Sequence, residues 1–328
     1  MVKRVVPWVL KLSLSGGMIY YVSTKIDLEA SWAKARSLDP TYLLLAIVLL
    51  IVQLVLGSER WRAALRGLGE YLSPGQAFRF QYISLFFNLA LPGMVGGDAL
   101  RVWKAHKTGL GFAPAFNSVV LERAATVLGL AVLVTAMEPF LYARIGDHSL
   151  LYLFPLLTLG GVLGLGVLMV LDRLPPRFRA GKIVGGLAHL AKDTRRVFLS
   201  PLHGGAVLGL AILGHMNVSL VAYLLALGLD MPVSVLDCLV LIPPVILAAT
   251  LPLSISGWGL REGAMVAAFG MVGVPAESSV VLSVVFGLVT MGIAVPGGAF
   301  WLADKERAQD IPDLIEDAEA AENEDTPA

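Results

Sequence analysis

The chain has 328 residues, of which 56% are hydrophobic and only 15% charged, with a mean hydropathy of +0.75. That balance excludes an ordinary soluble domain and an intrinsically disordered chain. The 25 basic and 25 acidic side chains cancel to a formal net charge of zero, so nothing argues for nucleic acid as a partner, and the single Cys238 excludes an intrachain disulfide framework.

Lys3 and Arg4 precede an apolar run from Val5 to Val22. The run has the look of a signal peptide's first half. Lys25-Ile26-Asp27-Leu28-Glu29 follows it in place of a small-residue cleavage site, so it reads as a retained first span. A crossing needs about 20 largely apolar residues. Tyr42–Gly57, Ala115–Met137, Leu150–Leu171, Gly204–Leu227 and Ser278–Leu302 are the further candidates. Glu59-Arg60-Trp61-Arg62 reads as the end of the second span at the cytoplasmic interface, with Trp61 as its anchor. Two more apolar tracts, Gln76–Lys104 and Val235–Met271, are each interrupted midway.

The interruptions are related. Leu91-Pro92-Gly93-Met94-Val95-Gly96-Gly97-Asp98-Ala99-Leu100-Arg101 returns as Leu251-Pro252-Leu253-Ser254-Ile255-Ser256-Gly257-Trp258-Gly259-Leu260-Arg261, a shared L-P-x4-G-x2-L-R without a gap. Ser118-Val-Val-Leu121 recurs almost in register as Ser279-Val-Val-Leu282. Positive charge sets the threading. The loop Asp172–His203, with Arg173, Arg177, Arg179, Lys182, Lys192, Arg195 and Arg196, reads as cytoplasmic. Segments Glu59–Arg79 and Arg101–Lys107 are also basic. A single crossing between them would put them on opposite sides, whereas a segment that enters and turns back keeps both cytoplasmic, together with both termini. By the same walk, Val235–Met271 starts and finishes on the outer side. The expected fold is therefore an all-α polytopic membrane protein with about six transmembrane helices and two opposed re-entrant helical hairpins, in an inverted repeat. Its units are 1–140, with a hairpin near 76–104, and 145–303, with a hairpin near 235–271. An acidic tail, 304–328, reads as disordered and cytoplasmic.

The chemistry is expected at the hairpin tips. Pro92 and Gly93 stop the entering helix, and Gly96 and Gly97 bring the backbone close to whatever sits there. Asp98 is placed to cap the returning helix, whose free N–H groups and dipole favour an anion. In the second hairpin Pro252 breaks the helix, Ser254 or Ser256 supplies the cap, and Gly257 and Gly259 flank Trp258. Arg101 and Arg261 fall in the first turn of the returning helices, where the dipole disfavours a cation. Either a phosphate drawn to both the helix ends and the guanidinium groups explains them, or structural pairing does, with Asp98 and Arg101 joined within one helix. Glu262 is adjacent to Arg261 and expected to face elsewhere, so the partner of Arg261 should come from another element. Glu122 and Arg123 lie about two turns into a span, and Glu122 is expected to pair with Arg101 or Arg261. The alternative has Arg123 reaching the headgroups and Glu122 in the interface. His215 and Asn217 suit an interhelical contact, and Asn88 suits freed backbone groups near Pro92. No metal-ligand spacing, nucleotide loop or nucleophile–His–acid arrangement stands out, and no cofactor is expected.

Asn88-x2-Leu91-Pro92-Gly93-x2-Gly96-Gly97-Asp98-x2-Arg101, then Ser118-x3-Glu122-Arg123, then Pro252-x-Ser254-x2-Gly257-x-Gly259-x-Arg261-Glu262 resemble, in that order, the lysylphosphatidylglycerol synthase transmembrane (flippase-like) family over about residues 1–303. The resemblance implies a lipid flippase role. The family is similar to the membrane part of bifunctional enzymes that aminoacylate phosphatidylglycerol and flip the product outward, and it includes stand-alone proteins tied to lipid or polyprenyl-linked sugar handling. The acidic tail stands in place of the acyltransferase domain, so transport rather than synthase activity is expected.

The leading expectation is a translocase of a bacterial-type inner membrane that moves a phosphate-bearing lipid with an anionic headgroup. Arg101 and Arg261 would contact the headgroup, the tip glycines would admit backbone N–H groups, and Glu122 and Glu262 would hold or release the arginines. Two rivals stand beside it. One is an ion-coupled or small-solute transporter on the same plan; the other is a non-transporting subunit that recruits a lipid-modifying enzyme.

Overall fold

A computed structural model of the chain describes residues 28–90, 96–145, 153–173, 175, 182–249 and 259–303. The expected first span Val5–Val22, the two hairpin tips and the acidic tail lie outside the described residues. Within them are eleven α-helices and a 3-10 turn, without strands.

In chain order the helices are α1 (Leu28–Arg36), α2 (Pro40–Leu68), α3 (Pro74–Ala90), α4 (Gly96–Lys107), α5 (Phe112–Ile145) and α6 (Leu153–Leu168). The 3-10 turn Leu171–Arg173 leads to α7 (Lys182–Phe198), α8 (Pro201–Gly228), α9 (Val235–Ala249), α10 (Leu260–Gly270) and α11 (Ala276–Leu302). Among the described residues, five stretches are long and apolar enough to cross a membrane: Pro40–Leu68, Phe112–Ala143, Phe154–Arg173, Pro201–Gly228 and Ala276–Leu302. They correspond to the five spans expected after the first, and the protein is a polytopic membrane protein.

Helix α2 starts where Asp39 accepts the Thr41 N–H at 2.7 Å and Pro40 fills the first turn. It stops at Gly69, whose φ of 86° lets its N–H reach back to the Arg66 and Leu65 carbonyls. The helix runs well beyond the expected Gly57. At 1.5 Å per residue it is about 44 Å long, more than the roughly 30 Å of a hydrocarbon core. Its last turns carry Arg60, Trp61 and Arg62, all buried, so Trp61 is enclosed and does not anchor at an interface. The charges stay in the helix because partners meet them: Arg62 bonds Glu59 at 2.5 Å and the Leu72 carbonyl at 2.9 Å.

Helices α2 and α8 run antiparallel over their length. The Asp39 N–H donates to the Gly228 carbonyl, Asn217 reaches the Leu49 carbonyl and Gln53, and Gly67 faces His203. Around this central pair, the helices divide into two sets with matching neighbours. Helix α3 packs on α2, α4 and α11, while α9 packs on α8, α10 and α5. Helix α4 packs on α5 as α10 packs on α11.

Two buried clusters seat the broken helices. Trp61, Leu65, Ala77, Phe80, Val102 and Val119 join α3 and α4 to α2 and α5. A larger cluster including Leu225, Cys238, Ile242, Met265, Phe269 and Leu282 joins α9 and α10 to α8 and α11. In lipid such contacts stabilise through close packing, because the surrounding tails are as apolar as the side chains. The most apolar window of α6 has no buried residue, so α6 lies at the edge of the bundle.

The basic segment after α6 is itself structured. Helix α7 turns Ala188, Leu190, Ala191, Thr194 and Val197 inward. Arg195 grips Asp172 through two bonds at 2.7 and 2.5 Å, Arg196 caps the Leu68 carbonyl at 2.7 Å, and Asp193 accepts from Asn117 at 2.7 Å. This helix closes the end of the bundle at which α2 finishes and α5 begins.

Candidate functional site

Helices α3 and α4 pack against each other, and Gly97 of α4 approaches α3 closely. A Cβ at that position would fall 2.1 Å from the Ser84 carbonyl oxygen and 2.7 Å from the Asn88 side chain, so no residue larger than glycine fits. Asn88 Oδ1 accepts the Gly97 N–H at 3.0 Å, and its amide donates to Ser84 Oγ at 3.4 Å. Asn88 thus satisfies a first-turn backbone donor that would otherwise be orphaned. Asp98, expected as the cap, belongs to the first turn of α4 and turns its carboxylate toward α5 instead.

Below the tip, three helices contribute to one buried ionic cluster. Glu122 of α5 receives Arg60 of α2 on Oε1, from Nε at 2.6 Å and Nη2 at 2.5 Å. Its Oε2 receives Nη2 of Arg101 at 2.9 Å. Nη1 of Arg101 donates to Gln81 Oε1 of α3 at 2.6 Å, and the guanidinium lies 4.8 Å from the Trp61 ring. Trp61 in turn donates to Ser118 Oγ at 2.9 Å. Arg101 is completely enclosed and its Nε has no hydrogen-bond partner among the described residues. The expected pairing of Glu122 with Arg101 is therefore present, with Arg60 as a further partner, and Glu122 is buried inside the bundle. In this conformation Arg101 holds the broken helix to its neighbours and exposes no surface to a ligand.

The outer edge of the cluster is Asp98 and Arg123. Arg123 donates from Nε and Nη2 to the two Asp98 oxygens, each at 2.8 Å, and the Arg123 side chain is 46% exposed. Asp98 also lies 3.3 Å from Arg101 Nη2, so the pairing of these two within α4 exists as the weaker of the bonds Asp98 makes. Three guanidinium groups face two carboxylates, which leaves the cluster one positive charge in excess.

At the second break, Gly259 takes φ 83° and begins α10. Its N–H donates to Glu262 Oε2 at 2.5 Å, so the glutamate folds back over the helix start. The other oxygen, Oε1, accepts from Arg261 Nη2 and from Ser283 Oγ, both at 2.9 Å. Arg261 Nε donates to the same Ser283 hydroxyl at 2.9 Å. The expectation that Glu262 faces away from Arg261 is corrected. Adjacent residues diverge at Cβ, but the glutamate folded over the first turn lies where the long guanidinium arm returns. Ser283 of α11 is a partner from another element. The sequence register that aligns Ser118 with Ser279 also aligns Glu122 with Ser283, and each of these two residues meets the arginine of the nearby returning helix.

Of the sequence-derived candidates, Asn88, Gly97, Asp98, Arg101, Glu122 and Arg123 gather around the first break, with Gly96 starting α4. Gly259, Arg261 and Glu262 gather at the second. Gly93, Ser254, Ser256 and Gly257 lie outside the described residues. His215 and Asn217 make interhelical bonds, to the Thr126 carbonyl at 3.0 Å and to the Leu49 carbonyl at 2.9 Å. Sequence reasoning missed Arg60, Gln81, Trp61 and Ser283. Only Ser283 left a signal, through its register with Glu122.

With this geometry in hand, comparison with protein families matches residues 8–298 to the lysylphosphatidylglycerol synthase TM region. No curated protein matches the chain.

Proposed function

The chain belongs to the lysylphosphatidylglycerol synthase TM-region family, and on that premise we propose that it is a lipid translocase. It carries a phosphate-bearing lipid, a phospholipid or a polyprenyl-phosphate-linked one, between the leaflets of a bacterial-type cytoplasmic membrane. Both termini face the cytoplasm. The α3–α4 and α9–α10 pairs are re-entrant hairpins of an inverted repeat, and they guide the headgroup while the acyl or prenyl chains stay in lipid.

The observation that carries this reading is an ionic cluster with excess positive charge, buried where a helix breaks and open at one edge. Depth supports it. At 1.5 Å per residue, Arg123 lies about 16 Å along α5 from Phe112, and Asp98 about 14 Å along α4 from Lys107. Arg261 is about 14 Å along α10 from Gly270. Half of a hydrocarbon core is about 15 Å, so both breaks fit the midplane. The antiparallel α2–α8 pair supports inversion, because a two-fold axis in the membrane plane reverses equivalent helices whereas an axis along the normal keeps them parallel. Intramembrane charges of this kind mark substrate paths.

Within this reading the headgroup meets Arg123 and the tips of both hairpins, including Gly93, Gly96, Ser254, Ser256, Gly257 and Gly259. Arg101 and Arg261 act as positioning residues that fix the two returning helices. The test is reconstitution in liposomes containing fluorescent anionic lipids, with Arg101→Ala and Arg261→Ala beside the unmodified chain. Both substitutions should lower the rate at which label becomes accessible in the outer leaflet. Equal rates in all three proteins across several anionic lipids would sink the proposal.

A further inference from the structure

Among the described residues, one pair of the buried network reaches the bundle surface. Side-chain exposure is 46% for Arg123 and 17% for Asp98, against 0% for Arg101 and 1% for Glu122. A charged pair facing hydrocarbon is expensive, so at this depth the exposed edge suits a polar occupant. The bond that closes it has the two-pronged form by which arginine also holds phosphate. On its inner side Asp98 Oδ1 lies 3.3 Å from Arg101 Nη2. One carboxylate therefore sits between two guanidiniums, and the inner one carries a buried Nε without a partner among the described residues. The same carboxylate occupies the first turn of α4, where backbone N–H groups lack intrahelical acceptors and an anion is favoured.

The charges point the same way. Glu122 is committed to Arg60 and Arg101 through both of its oxygens. When Asp98 leaves Arg123, the two guanidiniums beside it lose their second carboxylate, and a second anion is needed to restore the balance. We propose that Asp98 is an internal anion resting in the seat of the headgroup phosphate. The lipid phosphate takes Arg123 by displacing the Asp98 carboxylate, and Asp98 returns when the headgroup leaves. The exchange breaks no covalent bond. The second hairpin has nothing equivalent, since the repeat aligns Asp98 with Trp258 and Arg123 with Val284. Phosphate capture by this exchange is thus confined to the first hairpin.

This inference rests on the translocase reading, but its test reads binding alone. The purified full chain in detergent is titrated with a short-chain phosphatidylglycerol and, separately, with a short-chain diacylglycerol, which lacks the phosphate. Asn is a weaker competitor than Asp for a guanidinium, so Asp98→Asn should bind the anionic lipid about tenfold more tightly, as expected when a closed state that holds about nine-tenths of the population is removed. Arg123→Gln should lose that binding, and the double variant should behave like Arg123→Gln. Unchanged or weaker affinity in a folded Asp98→Asn protein overturns the proposal. If that variant does not fold, carbodiimide labelling of Asp98 in the unmodified chain decides. Labelling should rise when phosphatidylglycerol is added and stay level with the diacylglycerol, and labelling indifferent to phosphatidylglycerol overturns the proposal equally. Tighter binding without lipid movement in liposomes would instead leave the exchange standing and remove the translocase reading.

Discussion

Neutralising Glu122 leaves Arg60 and Arg101 buried without their shared carboxylate. Breaking a buried ion pair by removing one partner costs about 3–5 kcal/mol, mostly because the remaining charge is uncompensated. Glu122→Gln should therefore lower the thermal midpoint of the purified protein sharply, while Glu122→Gln combined with Arg60→Gln should recover part of the loss. A midpoint that does not move in the single variant would show that the cluster contributes nothing to folding. At this scale the sequence was half informative. Arg101, Glu122 and Arg123 stood out because a charge inside an apolar run is locally anomalous. Arg60 did not, because it follows Glu59 at what reads as the edge of a span, and its burial depends on how far α2 continues beside α5. Asp98 was read as the cap of the returning helix and not as the partner of Arg123, which lies on another helix.

At the scale of elements, the close seams decide what each broken helix leans on. Gly297 of α11 faces α3 so tightly that a Cβ would lie 2.3 Å from the Tyr82 carbonyl oxygen, with Gly298 against the Phe86 ring. Aromatic contacts extend the seam, with Tyr82 5.5 Å from Phe300 and Phe87 5.3 Å from Trp301. Because the obstacle is backbone and not a flexible side chain, Gly297→Val must push α3 and α11 apart. The variant should assemble in the membrane, since a span needs only apolar length, yet translocate lipid more slowly than the unmodified chain. Transport at the unmodified rate would show that this seam is not where the first hairpin is held. The five long spans were readable because composition and length alone define them. The α7 helix was read only as a charged loop. Its inward face becomes a helix face when Asp172, Leu68 and Asn117 offer partners to its Arg195, Arg196 and Asp193.

For the whole molecule, the threading of the broken helices is the decisive quantity. Single cysteines at Arg79 and Lys107, in a chain whose buried Cys238 is replaced by Ala, should react with an impermeant thiol reagent from the same side of sealed vesicles. Reaction from opposite sides would replace the re-entrant hairpin by a crossing helix and remove the inverted arrangement with it. The sequence by itself determined a helical membrane protein, the places where its helices break, and the family, because hydropathy, Pro and Gly chemistry and a motif in order are properties of the chain read locally. Tertiary structure alone decided the partners: Arg60 and Arg101 on Glu122, Asp98 between Arg101 and Arg123, Glu262 and Ser283 on Arg261. The reason is physical. Long charged side chains choose among acceptors several ångströms apart on different helices, and only the packing of those helices fixes which acceptor is within reach and which is shielded from water.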